Sequence, residues 1–292
     1  MRNVNQDNLT DTFLSYFDKN TDPRLREIME SLSRHLHAFA KETRLTHEEW
    51  TTGLEVLRQA GRITTPERDE LVLLSDVLGL SSLVDMINSS DGGTSSSVLG
   101  PFHISNSPPT PLGADLKGSH SGELVLVQGH VRDTHGKPIA GATLDIWQTA
   151  PNGLYSSQDP EQSMYDFHAL FTTDESGGYY FTTAKPVVYT VPTDGPVGDL
   201  LKATGRHPWR PSHLHYIAKA TGYRTLVTEV FPDDDPYLDQ DTVFGVRDDL
   251  IMHYEPQQAA NFPSKGFAMS GKVSDDYLLV EFDLILSENR HS

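Results

Sequence analysis

Apolar residues recur at helical spacing in the N-terminal part of the chain. Between Arg24 and Lys41 they fall on one side of a helix, at Leu25, Ile28, Met29, Leu32, Leu36 and Phe39. This period predicts an amphipathic helix with one apolar face. The ordinary explanation of such a face is packing against another helix of the same chain.

Two further helices are predicted by their start signals. Thr46 followed by Glu49 is typical of a capping box, and the helix it opens runs toward Gly61. Thr65-Pro66-Glu67-Arg68 predicts the start of a third helix. Gly79 is expected to bend or interrupt that helix before the apolar run ends at Ile87.

The pattern changes after a small-residue linker at 88–97. Beyond it Pro and Gly are frequent, and short runs typical of β-strands follow one another with turn residues between them. These runs are Glu123–Val131, Thr143–Gln148, Phe167–Thr173, Tyr179–Thr182, His213–Ala218, Thr225–Phe231 and Tyr277–Leu286. The sequence therefore predicts an α+β protein: an N-terminal helical domain over residues 1–97, then an antiparallel β-sandwich over 98–292, immunoglobulin-like or transthyretin-like.

Composition and charge exclude several classes of partner and of metal site. The formal net charge of −18 disfavours nucleic acid and anionic lipid as partners. The chain has no cysteine, which excludes disulfides, thiolate catalysis and cysteine-ligated metals. A bound metal must therefore use nitrogen and oxygen donors. The N-terminus lacks an apolar signal segment and no stretch approaches a membrane span, so we expect a cytoplasmic protein.

Two histidines carry the strongest chemical signal. His213 and His215 lie in a predicted strand, where alternate side chains share a face, so both imidazoles can bind one metal ion. His35 and His37 have the same spacing within a predicted helix, where such positions diverge. We interpret that second pair as surface or packing residues.

Oxygen donors for such a metal are less certain from the residues alone. The nearby acidic run Asp233-Asp234-Asp235 looks like a solvated turn. Tyr155, after a turn, and Tyr189, between prolines, are better placed, although most tyrosines in proteins serve packing. A phenol ionises only near a pKa of about 10, so its binding as phenolate requires a strongly Lewis-acidic ion such as Fe(III). A zinc or manganese hydrolase would need a carboxylate ligand that the sequence does not place.

A family resemblance adds to this interpretation. The chain resembles the intradiol ring-cleavage dioxygenases over nearly its whole length, including the helical region and Leu99-Gly100-Pro101-Phe102. The motifs that carry the resemblance are Gly153-Leu154-Tyr155, Tyr189 with Pro192 and Gly195-Pro196, Gly205-Arg206-His207, and Arg210-Pro211-Ser212-His213-Leu214-His215. Within the family it is most similar to the hydroxyquinol 1,2-dioxygenases, through Tyr189–Gly198 and Asp235–Val246.

The resemblance implies a non-haem Fe(III) enzyme that cleaves hydroxyquinol with dioxygen to 3-hydroxy-cis,cis-muconate, the tautomer of maleylacetate. Catechol and chlorinated catechols are the alternative substrates. The implied metal ligands are Tyr155, Tyr189, His213 and His215. Tyr189 would also act as general base, and Arg210 would stabilise charge at the migrating carbon. Glu229 replaces the Gln common in catechol-cleaving relatives, so we place it at the catalytic site with its role open.

The resemblance also implies a substrate pocket and a partner. The pocket residues are Leu73, Asp76, Val98, Leu99, Gly100, Pro101, Phe102, Val191, Pro192, Arg210 and Val243, with Asp76 accepting a hydrogen bond from a third ring hydroxyl. Family precedent implies a homodimer joined through the N-terminal helices, with bound phospholipid. The non-enzymatic alternative is a transthyretin-like binding module whose histidines are packing residues.

Overall fold

The computed structural model describes residues 3–66, 68–89 and 92–289. Glu67 in the predicted third helix start, and Ser90 and Asp91 in the predicted linker, lie outside the described residues. The chain forms two compact units, one up to Arg58 and one from Gln59 onward. The sequence-based division into 1–97 and 98–292 stays a prediction. All the candidate catalytic, metal-binding and substrate-binding residues belong to the second unit.

Among the described residues, five α-helices occupy the N-terminal region and a sixth lies between strands. They are α1 Leu9–Leu14, α2 Pro23–Glu42, α3 His47–Ile63, α4 Glu70–Val77, α5 Leu80–Asn88 and α6 Pro196–Ala203. The predicted capping box of α3 is confirmed, because the Thr46 N–H donates to Glu49 Oε2 and the Glu49 N–H donates to Thr46 Oγ1. The two orphan N–H groups are thereby satisfied.

The predicted start of the third helix at Thr65 is wrong. Helix α4 begins at Glu70, because the carboxylate of Asp69 accepts hydrogen bonds from the N–H groups of Leu71 and Val72. This aspartate supplies the N-cap that the Thr-Pro signal was expected to supply. Gly79 interrupts the helix as predicted; it adopts φ +74° between α4 and α5.

The apolar face of α2 is only half covered within the chain. Leu25, Ile28, Leu32, Leu36 and Phe39 are each 46–54% exposed. His37, on the same helix, accepts or donates a hydrogen bond with Thr10 and contacts the ring of Phe13. The helical histidine is thus a packing residue, as the sequence indicated.

In the described part of the second unit, twelve strands follow. They are β1 Leu124–Asp133, β2 Thr143–Trp147, β3 His168–Thr172, β4 Gly178–Ala184, β5 Tyr189–Thr190, β6 Trp209–Arg210, β7 Leu214–Lys219, β8 Leu226–Pro232, β9 Ile251–Met252, β10 Glu255–Gln257, β11 Tyr277–Glu281 and β12 Leu284–Leu286. Every predicted run contains a strand, and the last run is split into β11 and β12. The short strands β5, β6, β9 and β10 and the helix α6 were not predicted.

The larger strands form two five-stranded sheets. One has the order β10-β11-β1-β12, with β4 also paired to β1, and the other has the order β3-β2-β7-β8-β9. Pairing is mostly antiparallel, as predicted, but β1 pairs in parallel with β11 and β12, and β8 pairs in parallel with β9. The apolar core joins residues of both sheets, including Val127, Phe181, Ile146 and Tyr216.

The second sheet presents a polar row on the face opposite this core. Directly paired residues of an antiparallel ladder share a face. Pairing of His168 with Trp147, of Trp147 with His215, and of His215 with Glu229 therefore aligns four functional side chains across β3, β2, β7 and β8. In the part of the chain that the structure describes, no helix is long and apolar enough to span a bilayer. The cytoplasmic location stays a prediction.

Candidate metal centre

Four predicted ligands converge from three segments. His213 and His215 lie at the start of β7, and Tyr155 follows β2 in the loop toward β3. Tyr189 is on β5, whose partner across the short β5–β6 ladder is Arg210. All four side chains are buried, at 1–6% exposure.

Their donor atoms lie at mutual distances typical of one coordination sphere. The Tyr155 Oη is 3.2 Å from the Tyr189 Oη, 3.3 Å from the His213 Nε2 and 2.9 Å from the His215 Nε2. The two Nε2 atoms are 3.0 Å apart. Metal–donor bonds of about 2 Å leave neighbouring donors about 3 Å apart, so the cluster fits a single ion.

The imidazoles are oriented to offer lone pairs to this point. The Nδ1–H of His213 donates to the carbonyl of Pro211 at 2.8 Å, which leaves Nε2 as the acceptor. The Nδ1 of His215 lies 3.4 Å from Glu229 Oε1, on the side away from Tyr155. Burial lowers the pKa of His213, and burial with the neighbouring His213 lowers that of His215 well below its usual value. Two neutral rings with facing Nε2 atoms are best satisfied by a cation between them.

The phenols require a strong Lewis acid. Burial raises the pKa of Tyr155 well above its ordinary value, and the neighbouring Tyr189 raises it further. Burial also raises the pKa of Tyr189, although the charge of Arg210 opposes this shift. Neither hydroxyl ionises near neutral pH in such surroundings unless a metal ion compensates the charge.

A carboxylate also lies at the site, where the family resemblance placed Glu229 with its role open. His213, His215 and Glu229 bring metal-binding atoms within 4.8 Å of one another. Glu229, however, accepts hydrogen bonds from Arg210 Nη1 and Nη2, both at 2.8 Å, and from Ser97 at 2.8 Å. Burial alone would raise its pKa, but Arg210 outweighs burial and the pKa lies below the usual value. Glu229 thus holds Arg210 through two hydrogen bonds, and its Oε1 also lies 3.4 Å from His213 Nε2, at the edge of the donor cluster.

Arg210 is fully buried, which excludes the surface position that is ordinary for an arginine before proline. Besides Glu229 it binds Asp241, through Nε to Oδ1 at 3.0 Å and Nη2 to Oδ2 at 3.1 Å. Burial opposes the charge of Arg210, but the two carboxylates keep its pKa well above the usual value. The sequence analysis missed Asp241, and no local signal distinguishes it from the exposed Asp239.

Aromatic rings enclose the cluster. Trp147, also missed by the sequence analysis, lies parallel to the ring of His215, with centroids 4.5 Å apart and 4° between the planes. Phe102 stacks on Tyr155 at 4.9 Å. Gly100 has φ +71°, and a Cβ there would lie 3.6 Å from His215 Cε1. These contacts exclude water from the donors and fix the ring planes.

The predicted pocket residues are brought together only in part. Leu73, Val98, Val191 and Val243 form one buried apolar cluster. A cavity of about 420 Å³ is lined in part by Phe102, Gly153, Val191 and Pro192. Leu99 is 40% exposed.

Asp76 on α4 is a buried carboxylate with an open oxygen. It is 2% exposed, and its Oδ1 has no hydrogen-bond partner among the described residues. Burial raises its pKa to about 6, while Ser81 and the charge of Arg210 oppose the shift. A buried acceptor of this kind is costly unless a ligand hydroxyl satisfies it.

Comparison with known proteins gives consistent matches over the whole chain. A family model described as "Catechol dioxygenase N terminus" matches residues 22–94, and one described as "Dioxygenase" matches 99–287. The chain is 44% identical to a hydroxyquinol 1,2-dioxygenase of Rhizobium sp., covering 88% of this chain and 90% of the relative. It is 39% identical to a catechol 1,2-dioxygenase of Candida albicans, covering 84% and 83%. The crystal structure of a hydroxyquinol 1,2-dioxygenase from Pseudomonas putida superimposes with a TM-score of 0.84 at 40% identity, covering 97% and 99%.

Proposed function

The chain belongs to the intradiol ring-cleavage dioxygenases, an iron-dependent family, and from this premise we propose that it cleaves hydroxyquinol (benzene-1,2,4-triol) with dioxygen. The product would be 3-hydroxy-cis,cis-muconate, the tautomer of maleylacetate. The convergence of two phenol oxygens and two imidazole nitrogens supports this proposal most directly. The Tyr155 Oη lies within 3.3 Å of the other three donor atoms, and the two imidazole Nε2 atoms are 3.0 Å apart.

Tyr155, Tyr189, His213 and His215 would hold Fe(III). With two phenolates and two neutral imidazoles, the ferric centre would keep a single net positive charge. When bound, the ferric ion supplies Lewis acidity that makes an adjacent dihydroxy-aromatic ring susceptible to dioxygen. Zinc is disfavoured because it does not usually force phenol ionisation against burial of this degree.

Tyr189 is the chain's candidate general base. Its Oη contacts only Tyr155 among the donors, whereas the Tyr155 Oη contacts both imidazoles. Tyr189 is therefore the ligand that can leave the cluster with less disruption and take the proton of a substrate hydroxyl. Arg210 stands across the ladder from Tyr189 and supplies a fixed positive charge in a site without bulk water.

Asp76 favours the triol over catechol. Its open Oδ1 is suited to accept a hydrogen bond from the third ring hydroxyl, which catechol lacks. A site built to hydrogen-bond a substrate hydroxyl discriminates strongly against the analogue without it, because the buried acceptor is then left unpaired. Chlorinated catechols would leave the same acceptor unsatisfied.

The test is steady-state oxygen uptake and product absorbance with hydroxyquinol, catechol and 4-chlorocatechol, using iron-loaded protein. We expect a red protein and a kcat/KM for hydroxyquinol at least ~10-fold above that for catechol. Equal or higher values for catechol would assign the protein to catechol cleavage. Colourless, iron-free and inactive protein from iron-replete cells would instead support the transthyretin-like binding module.

We further propose a homodimer joined through the N-terminal helices, with phospholipid bound at the junction. The half-exposed apolar stripe on α2, from Leu25 to Phe39, supports this proposal because such faces are rarely left in water. Light scattering on a size-exclusion column gives the mass in solution, and solvent extraction followed by mass spectrometry detects lipid. A monomer without lipid would refute this arrangement and leave the enzymatic proposal intact.

A further inference from the structure

The guanidinium of Arg210 is held by two buried carboxylates at once. Glu229 binds Nη1 and Nη2, and Asp241 binds Nε and Nη2. Glu229 and Asp241 are 0% and 6% exposed. A single carboxylate suffices to neutralise the charge of an arginine. Charge balance therefore does not explain the second carboxylate.

The geometry shows what the second carboxylate adds. A guanidinium has five N–H groups in a fixed planar fork. Four of the Arg210 groups point at the two carboxylates. The remaining one, on Nη1, faces the donor cluster, where His213 Nε2 lies 3.3 Å from Nη1. If Glu229 were its only partner, the Arg210 guanidinium could tilt about that one bidentate contact. The remaining Nη1–H would then lose its fixed direction.

We propose that Asp241 is a positioning residue for ring cleavage: it acts through Arg210, aiming one N–H at the charge that develops on the substrate. This inference rests on the proposed function for the identity of the reaction. Asp241 itself touches none of the four donors in the described contacts, so it is not a catalytic residue.

The turn that carries Asp241 is built to hold it. Its Oδ2 accepts a hydrogen bond from the Gly245 N–H at 2.8 Å, and its Oδ1 accepts one from the Val243 N–H at 3.3 Å. A Cβ at Gly245 would lie 2.7 Å from Glu229 Oε2 and 2.8 Å from Arg210 Nη2. Only glycine fits there, so the turn packs directly against the charged groups of Arg210, Glu229 and Asp241.

The same turn forms part of the substrate pocket wall. Val243 packs with Leu73 of α4 in the apolar cluster. Arg206 donates hydrogen bonds to the carbonyls of Val77 on α4 and Thr242 in the turn. Asp241 therefore links the orientation of Arg210 to the wall that contacts the substrate ring.

The experiment compares Asp241→Asn with the matched control Asp239→Asn, which changes an exposed aspartate two residues away. We expect Asp241→Asn to keep its iron content and visible spectrum and to lower kcat about 10–100-fold, with KM changed less than about 3-fold. The control should match the wild type. A wild-type kcat in Asp241→Asn would overturn the inference.

A double-mutant cycle separates action through Arg210 from a general structural effect. On an Arg210→Met background, Asp241→Asn should change kcat/KM less than about 2-fold, because no guanidinium remains to be oriented. An equal loss on both backgrounds would overturn the inference. If Asp241→Asn fails to fold, folding restored by Arg210→Met supports it, and failure on both backgrounds overturns it.

Metal-free protein provides a readout that does not depend on turnover. In its thermal unfolding, the midpoint shifts caused by Asp241→Asn and Arg210→Met should be clearly non-additive, and additive shifts would contradict the contact that the inference needs. If the wild type cleaves no dihydroxy-aromatic compound, the proposed function fails while this coupling can still be measured. If the wild type is active and Asp241→Asn is equally active, only the inference fails.

Discussion

The phenol oxygen of Tyr155 is the common neighbour of the other donors. It lies within 3.3 Å of Tyr189, His213 and His215 at once. Its ring is stacked on Phe102 and it is buried to 1% exposure, so it has no freedom to swing away. Tyr155 is therefore expected to remain a ligand throughout the reaction, whereas Tyr189 is the one that exchanges a proton.

Removing this hydroxyl should greatly weaken the visible absorption of the metal centre. In Tyr155→Phe we expect loss of most visible colour and at least about 100-fold lower kcat, because a charged donor is replaced by a C–H. Iron analysis and visible absorption are the measurements. Tyr254→Phe is a matched control, since that buried hydroxyl has no hydrogen-bond partner in the described residues. A coloured, active Tyr155→Phe would exclude tyrosinate ligation at this position.

Asp76 should decide substrate preference. In Asp76→Leu the acceptor for a third hydroxyl is gone, so kcat/KM for hydroxyquinol should fall at least about 10-fold while that for catechol stays level or rises. Competition between the two substrates in one reaction measures the ratio directly. A parallel loss with both substrates would assign Asp76 to the pocket's structure instead of its selectivity.

Asp76 should also make stability depend on pH. Burial raises its pKa from 3.8 to about 6, so the folded protein prefers the protonated carboxyl. The penalty is absent below about pH 4, grows between pH 4 and 6, and is complete above pH 6, at about 3 kcal/mol. Asp76→Asn should therefore stabilise the protein at pH 8 and do so only about a third as much at pH 4.5. Urea denaturation at both pH values measures this, with the exposed Asp275→Asn expected to show no such difference.

Sequence patterns predicted some residues of the site and could not predict others. His213 and His215 could be predicted because strand periodicity places them on one face. The tyrosines were predicted from the family motif. Asp241 and Trp147 could not be predicted from the sequence. Trp147 meets His215 only through the β2–β7 register, and Asp241 meets Arg210 only through a turn 31 residues away. Short-range patterns carry no information about such pairings.

At the scale of elements, β1 is the strand around which the first sheet is assembled. It pairs with β4, with β11 along its first half and with β12 along its second half. The chain crosses between β11 and β12 at Phe282, directly over Gly129. The sequence predicted one run there, because an apolar run cannot reveal that its two halves pair with different parts of a neighbour.

Gly129→Ala should be strongly destabilising. The added Cβ would lie 1.8 Å from the Phe282 carbonyl oxygen, which is backbone and already accepts a hydrogen bond from the Tyr179 hydroxyl. Overpacking of this kind costs about 1–3 kcal/mol or more, so the thermal midpoint should fall by several degrees. Gly53→Ala is the control: nothing lies within 4 Å of its added Cβ in α3, and helix propensity predicts a small gain. Equal midpoints for Gly129→Ala and the wild type would contradict the close approach.

Helix positions were predictable and helix starts were less so. The period of α2 and the capping box of α3 were correct, since both depend on residues within one or two turns. The start of α4 moved from Thr65 to Glu70, because Asp69 competes as N-cap and its side chain satisfies two N–H groups. Two cap candidates four residues apart cannot be ranked without the surrounding contacts.

At the scale of the whole molecule, the proposed metal ties together distant segments. Its ligands come from the loop after β2, from β5 and from β7. Stripping the iron should lower the thermal midpoint by about 5–10 °C, because ligand binding to the folded state alone adds stability. Far-ultraviolet circular dichroism should stay unchanged, since the donors are already gathered by packing. Restored iron should recover the midpoint, and identical midpoints with and without iron would contradict a centre that joins these segments.

The parallel stack of Trp147 on His215 has an optical consequence. The chain has three tryptophans, and the other two are Trp50, half-exposed on α3, and Trp209, stacked on Tyr237. Trp147 alone lies with its ring against a proposed ligand, at 4.5 Å. Loading of a coloured ion would quench the emission of this indole, so ultraviolet fluorescence becomes a gauge of metal occupancy that needs neither substrate nor oxygen.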